Sequence, residues 1–169
     1  MALQLHFRAA TLNDLPTLLD FEQQLIAVER PMDSSLKQTD TIHYYNLPEM
    51  LQSPQTHVLL ALHQEQIIGC GYGKITQNLP KFTEPLQGYI GFMFVLPQYR
   101  GQNVGGQIIA QLKKWFAQQH INEVILEVYH QNPNAIKNYT KAGFEPVMVM
   151  MRCVLGEDKN NLSKNLTYK

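Results

Sequence analysis

Leu3, Leu5 and Phe7 alternate with polar neighbours, the two-residue period of a half-buried strand. Thr11-Leu-Asn-Asp14 then reads as a capping-box-like helix start, after which Leu15, Leu18, Leu19, Glu22, Leu25 and Ile26 recur at helical spacing. Glu29-Arg30-Pro31-Met32-Asp33 interrupts that pattern. A weaker second helix is predicted over Thr41 to Leu51, with Ile42, Tyr45 and Met50 inward. Two apolar runs, Val58 to Leu62 and Ile67 to Ile75, flank His63-Gln-Glu-Gln66 and predict a hairpin. Residues 76–87 carry Asn78, Pro80 and Pro85 with few apolar anchors and read as a loop.

The second half alternates strand and helix: strand 89–96, helix 104–119, strand 123–129, helix 133–141 and strand 144–155. In the helix 104–119, Ile108, Ile109, Leu112, Trp115 and Phe116 form one apolar face for the core. The order β-α-α-β-β-β-α-β-α-β predicts an α/β (α+β) fold, a mixed and mostly antiparallel sheet with helices on both faces. Residues 1–155 would form a single domain, and 156–169 a polar, aperiodic tail. Val147, Val149 and Met151 alternate with Met148, Met150 and Val154, so both faces of the last strand need covering, by intramolecular helices or by a homodimer.

Composition narrows the function classes. The chain has 169 residues, 44% apolar and 17% charged, which suits one water-soluble globular domain. Fourteen basic residues balance fourteen acidic ones, so no long-range field points to nucleic acid or an anionic membrane. Cys70 and Cys153 have no metal-ligand spacing and read as buried free thiols. Neither a secretory leader nor a membrane-spanning apolar run is visible, and a cytoplasmic protein is the expectation.

The richest chemistry lies at the junction of strand 89–96 and helix 104–119, reading Val95-Leu-Pro-Gln-Tyr-Arg100-Gly101-Gln102-Asn103-Val104-Gly105-Gly106-Gln107. A strand stops at a proline, and a glycine-bearing turn opens directly onto a helix. The first helical N–H groups lack intrahelical partners and carry the positive end of the helix dipole. Glycine lets a ligand approach the backbone, so the turn is suited to an anion, above all phosphate. Neither a Walker A ending nor a G-x-G-x-x-G fingerprint is present.

Arg100-Gly101-Gln102-Asn103-Val104-Gly105 resembles the acyl-CoA-binding motif of the GCN5-related N-acetyltransferases, Q/R-x-x-G-x-G/A. Asn103 stands where that family usually has its first glycine, and Asn tolerates left-handed backbone angles. A second segment, Asn132-Pro-Asn-Ala-Ile-Lys-Asn-Tyr139-Thr-Lys-Ala-Gly143-Phe144, fills every position of the family's N-x-x-A-x-x-x-Y-x-x-x-G-F pattern. The resemblance spans about residues 3–152.

It implies an acetyl-CoA-dependent transfer to a primary amine through a ternary complex, without a metal. It also implies a V-shaped splay between the fourth and fifth strands, 89–96 and 123–129, that holds the pantetheine arm. The amides of Gln102, Asn103, Val104, Gly105 and Gly106 would bind the pyrophosphate beside Arg100 and Gly101, and Phe94 and Val95 would pair backbone groups with the pantetheine. Asn132 would cap its helix, help hold the pantetheine, or do both. Tyr139 takes the place of the acid that protonates the departing thiolate. Lys137 and Lys141 read first as solvated surface lysines, with the 3′-phosphate as their alternative partner.

Many relatives carry a glutamate on the fourth strand, but residues 89–95 have no acid. Glu127 is the candidate general base, at a place where some relatives that acetylate protein N-termini carry theirs. Glu29, Asp33, His43 and His130 are further titratable groups near expected cleft segments. The acceptor amine would be chosen by about residues 26–50 and 76–88, and its identity is left open. The alternative reading is a non-catalytic CoA-binding sensor or interaction module of the same fold.

Overall fold

The structure, a computed structural model, describes residues 3–155, so the expected tail lies outside the described residues. Five strands lie in the order β1-β2-β3-β4-β5. They are β1 (His6–Ala9), β2 (Thr56–His63), β3 (Gln66–Gln77), β4 (Leu86–Val95) and β5 (Val124–Leu126). The first four pair antiparallel, while β4 and β5 are parallel. A parallel pair needs a long crossover, and helix α3 (Val104–Gln118) supplies it.

Helix α1 (Leu15–Glu29) covers one face of the sheet and α3 the other. Leu18 and Phe21 pack with Leu60, Leu62, Phe92 and Phe94 on the α1 side. Ile108, Leu112 and Phe116 pack with Leu59, Ala61, Ile68 and Ile90 on the α3 side. Both faces of β2 are therefore buried, which explains its unbroken apolar run. Gly88 lets α3 come close, since a Cβ there would lie 2.6 Å from the Phe116 ring. At the start of α1, the Asp14 carboxylate accepts the Arg8 guanidinium at 2.7 and 2.8 Å and the Thr11 amide at 2.8 Å.

A bulge in β4 shapes the cleft. Cys70 pairs with Phe94 and Tyr72 with Gly91, so Phe92 and Met93 together oppose Gly71. Phe92 adopts φ +51°, and the extra residue swaps the faces of the strand. Before it, Ile90 points to the α3 side; after it, Phe92 and Phe94 point to the α1 side. Pairing of β4 with β5 covers only Gly88, Tyr89 and Ile90, and the ladder ends just before the bulge. The expected splay begins there.

Four expectations need correction. The fifth strand, expected over 123–129, is only Val124–Leu126, so Glu127 lies just past its end. The second helix shrinks to α2 (Leu47–Met50), because the amides of Tyr44 and Tyr45 bond the Glu22 side chain instead of a helical ladder. Residues 144–155 form no strand. Phe144 packs on the core, but Val147, Met148, Val149, Met150 and Met151 are 79–90% exposed. Strand propensity without a ladder partner leaves backbone groups to water, and Pro146 removes one donor near the start. Consequently Cys153 is exposed, and only Cys70 is a buried thiol.

Candidate active site

The turn after β4 has the features its sequence suggested. A short 3-10 turn, Pro97–Tyr99, leads to Gly101 at φ +76° and Asn103 at φ +61°, and α3 begins at Val104. Asn103 thus occupies the left-handed region where glycine is the usual choice. The Gln107 amide bonds the Asn103 carbonyl at 3.1 Å, which leaves the amides of Val104, Gly105 and Gly106 ahead of the helical ladder. No acidic residue occupies this first turn. A Cβ on Gly101 would meet nothing within 4 Å, and one on Gly105 only Val95 Cγ2 at 4.0 Å.

Arg100 is fixed at the edge of this concavity. Its Nε donates to the Val95 carbonyl at 2.9 Å, and its guanidinium lies 5.8 Å from the Phe94 ring centre. The Gln102 side chain donates to the Gln98 carbonyl at 3.3 Å, tightening the turn. Phe94 itself packs inward against Phe21 at 4.7 Å between centroids, so only its backbone can face the splay. Free amides, open space and a nearby cation fit a phosphate-bearing ligand.

Six of the chain's eight tyrosines gather around the splay: Tyr44, Tyr45, Tyr72, Tyr89, Tyr129 and Tyr139. Tyr45 stacks on Phe92 at the bulge with centroids 4.8 Å apart, and meets Tyr72 edge-on at 5.6 Å. Tyr72 in turn lies 6.1 Å from Tyr89. The Tyr89 hydroxyl donates to Glu127 at 3.1 Å. Glu127, expected as the base, is therefore exposed at the rim with one oxygen bonded to a tyrosine.

Glu29 comes from the opposite wall, the last residue of α1. Burial raises its carboxyl above the ordinary range, and the Tyr44 hydroxyl beside it partly offsets that rise. Its charge also acts on Tyr45, Tyr129 and Tyr139. The Tyr44 hydroxyl is buried without a hydrogen bond of good geometry, so it retains capacity to donate. Asp33 is held well below its usual range by Arg152, which it meets at 2.6 Å, and by Ser35. Sequence reading counted Glu29 only among several titratable groups. No local motif marks it, because Tyr44, Tyr45, Tyr129 and Tyr139 reach it from three distant segments.

Helix α4 (Pro133–Lys141) supplies the last wall. Of the two asparagines flanking Pro133, Asn132 is the one that caps the helix, accepting the Ala135 amide at 3.2 Å. Tyr139 projects from α4 into the cluster, and burial followed by the charge of Glu29 pushes its hydroxyl up to about 12. It is protonated at neutral pH and so carries a proton that it can give up there. Phe144 supports its ring edge-on at 6.3 Å, and Lys113 ties the end of α4 to α3 through the Ala142 carbonyl at 3.0 Å. Among the described residues no group of three or more His, Cys, Asp or Glu could hold a metal, and no helix is long and apolar enough to cross a membrane.

An anion turn at a strand-to-helix junction, a splayed parallel pair and a donor tyrosine facing it define an acyltransferase-type cleft. A sequence profile of the Acetyltransferase (GNAT) family matches residues 22–144, and the chain belongs to that family, as an N-acetyltransferase. N-alpha-acetyltransferase 30 of Saccharomyces cerevisiae is 25% identical over 150 residues, covering 88% of this chain and 85% of the yeast protein. A mutant protein from Bacillus halodurans superposes with TM-score 0.81 at 19% identity, over 89% of this chain and 99% of that one. A predicted acetyltransferase of Clostridium acetobutylicum, solved with acetyl-CoA, has TM-score 0.73 at 18% identity, over 90% and 97%. At these identities the solved structures speak for the fold alone.

Proposed function

We propose that the protein transfers the acetyl group of acetyl-CoA directly to a primary amine within a ternary complex. The observation that carries this reading is the pairing of two unlike ends of one cleft: free amides at 104–106, and the Glu29–Tyr139 cluster across the splay. Acetyl-CoA supplies an activated thioester. The turn from Gly101 to Gly106 holds phosphate through its amides, with Arg100 alongside. The splay receives the extended arm along the backbone of Phe94 and Val95.

An incoming ammonium must lose a proton before it can attack. Glu29 faces the tyrosine cluster as a carboxylate of raised basicity and takes that proton; Glu127, linked to Tyr89, is the second acceptor at the rim. As the nitrogen–carbon bond forms and the carbon–sulfur bond breaks, Tyr139 gives its proton to sulfur, and the second proton leaving the nitrogen restores the Tyr139 hydroxyl. Tyrosine faces and carboxylates together suit a cation. The α-amine of a polypeptide is the first acceptor to test, because the yeast relative bears that activity in its name.

The test is a titration with acetyl-CoA and then thiol release with a panel of peptide, polyamine and aminoglycoside amines. Micromolar binding, about 8 kcal/mol, and amine-dependent thiol release are expected. Binding without turnover on any amine would favour the non-catalytic module instead.

A further inference from the structure

The proposed chemistry leaves one buried acid unexplained. Glu22 lies on the inward stripe of α1 and is 0% exposed, beside Leu18, Phe21 and Ile26. Burying a carboxyl there is costly unless its oxygens are hydrogen-bonded. They are: Oε1 accepts the Tyr44 amide at 2.7 Å and the Tyr45 amide at 3.0 Å, and Oε2 lies 2.7 Å from His43 Nδ1. The neighbouring Gln23 donates to the Ile42 carbonyl at 2.9 Å. Two consecutive α1 residues thus tether residues 42–45 to the helix.

We propose that Glu22 is a positioning residue of the acceptor site, fixing the backbone of Tyr44 and Tyr45 so that their side chains wall the cleft opposite Tyr139. The inference rests on the reading that Glu29 and Tyr44 face the acceptor amine. Apolar pattern alone predicts a helix through 41–51, in which these two amides would join a helical ladder. Glu22 takes them out of it, and the resulting turn sends Tyr45 onto Phe92 at the bulge and Tyr44 beside Glu29. Glu22 and Glu29 are seven residues, two helical turns, apart on α1 and so share a face. One acid holds the wall; the other faces the ligand.

Length discriminates this role from simple burial. Glu22→Gln keeps an oxygen for both amides and presents an NH2 group to His43 Nδ1. Glu22→Asp keeps the acid but falls one methylene short, and Glu22→Met fills the space without an acceptor. The probes are CoA and two conjugates in which its sulfur is joined through an acetyl bridge to an amine, one the α-amine of a short peptide, the other an aminoglycoside amine. Calorimetry gives each affinity, and hydrogen exchange reports the Tyr44 and Tyr45 amides.

In the wild type, at least one conjugate should bind about tenfold or more tighter than CoA, with both amides protected. Asp and Met should lose that gain and the protection, with CoA affinity unchanged within about twofold; Gln should keep both. The proposal is overturned if Asp retains the gain, or if Gln loses it as fully as Asp. Asp serves by itself should Met fail to fold. A wild type that binds neither conjugate better than CoA refutes the acceptor reading, and this inference with it.

Discussion

At one end of the cleft, the groups offered to a ligand come from consecutive residues, Gly101 to Gly106, and most are backbone amides. At the other end they are side chains drawn from α1, the loop at 42–46, β3, β4, the stretch after β5 and α4. The first end is made by local conformation: two left-handed residues and the start of a helix. The second exists only once the sheet, both helical layers and the bulge at Phe92 are in place. A backbone site tolerates most side-chain changes except those that fill its space or alter its φ angles. A side-chain site is sensitive to each of its members, and differently to each.

The largest effect should come from filling the backbone end. Gly105→Asp places a negative charge where the amides converge, in space that an added Cβ enters freely. Acetyl-CoA affinity should fall about 100-fold or more, over 2.7 kcal/mol, while the melting temperature moves little. Calorimetry beside thermal unfolding checks both. Normal binding by this variant would put the phosphate elsewhere.

Tyr139→Phe tests the side-chain end. Removing only the hydroxyl should lower kcat by roughly 10- to 1,000-fold with acetyl-CoA affinity nearly unchanged. Because burial pushes this hydroxyl up to about 12, the loss should not depend on pH through the neutral range. A matching loss of coenzyme binding would make Tyr139 a packing residue instead.

Glu29→Gln should act through pH. Wild-type activity should fall on the acid side as Glu29 takes up a proton, at a pH above the ordinary carboxylate range because burial raises it. The Gln variant should be slower, by roughly 10- to 100-fold at neutral pH, and its profile should lose that limb. Stability should move the other way. A carboxyl raised in the folded state contributes fully below its unfolded pKa, and the contribution is lost as pH rises through the folded value. At neutral pH the Gln variant should therefore unfold at a slightly higher temperature than the wild type, a margin that vanishes in acid. If Glu127→Gln alone removes the acid limb, the base is at the rim.

This contrast also explains what could be read from the chain before folding. The turn at 100–106 and the helices around Leu18 and Leu112 follow from signals within a few residues, and so does a cap next to Pro133. The short α2 does not, because the Tyr44 and Tyr45 amides are claimed by Glu22, about two dozen residues upstream. Glu22 kept helical spacing with the core leucines, and an acid on an apolar stripe was the one visible sign of that contact. The segment 145–155 alternates as a strand should, yet a strand also needs a neighbour to bond, and its own sequence carries no such information. Arg152 reaches Asp33 across 119 positions, beyond any local pattern.

The smallest effect sharpens the comparison most directly, because it separates backbone angle from side chain at a single position. Asn103 sits at φ +61° and ψ +22° and makes no capping hydrogen bond with its side chain. If the turn needs only the left-handed angle, Asn103→Gly should change stability by less than about 0.5 kcal/mol, since glycine's ease in that region offsets its greater freedom when unfolded. Asn103→Ala should cost about 1–2 kcal/mol, the penalty of a Cβ in the left-handed region. Denaturant unfolding gives both values, and acetyl-CoA affinity should follow the same order, Gly at or above wild type and Ala below it. An Ala variant as stable and as tight as wild type would mean the turn reaches its shape by another backbone path, and would remove the reason for calling this end a backbone site.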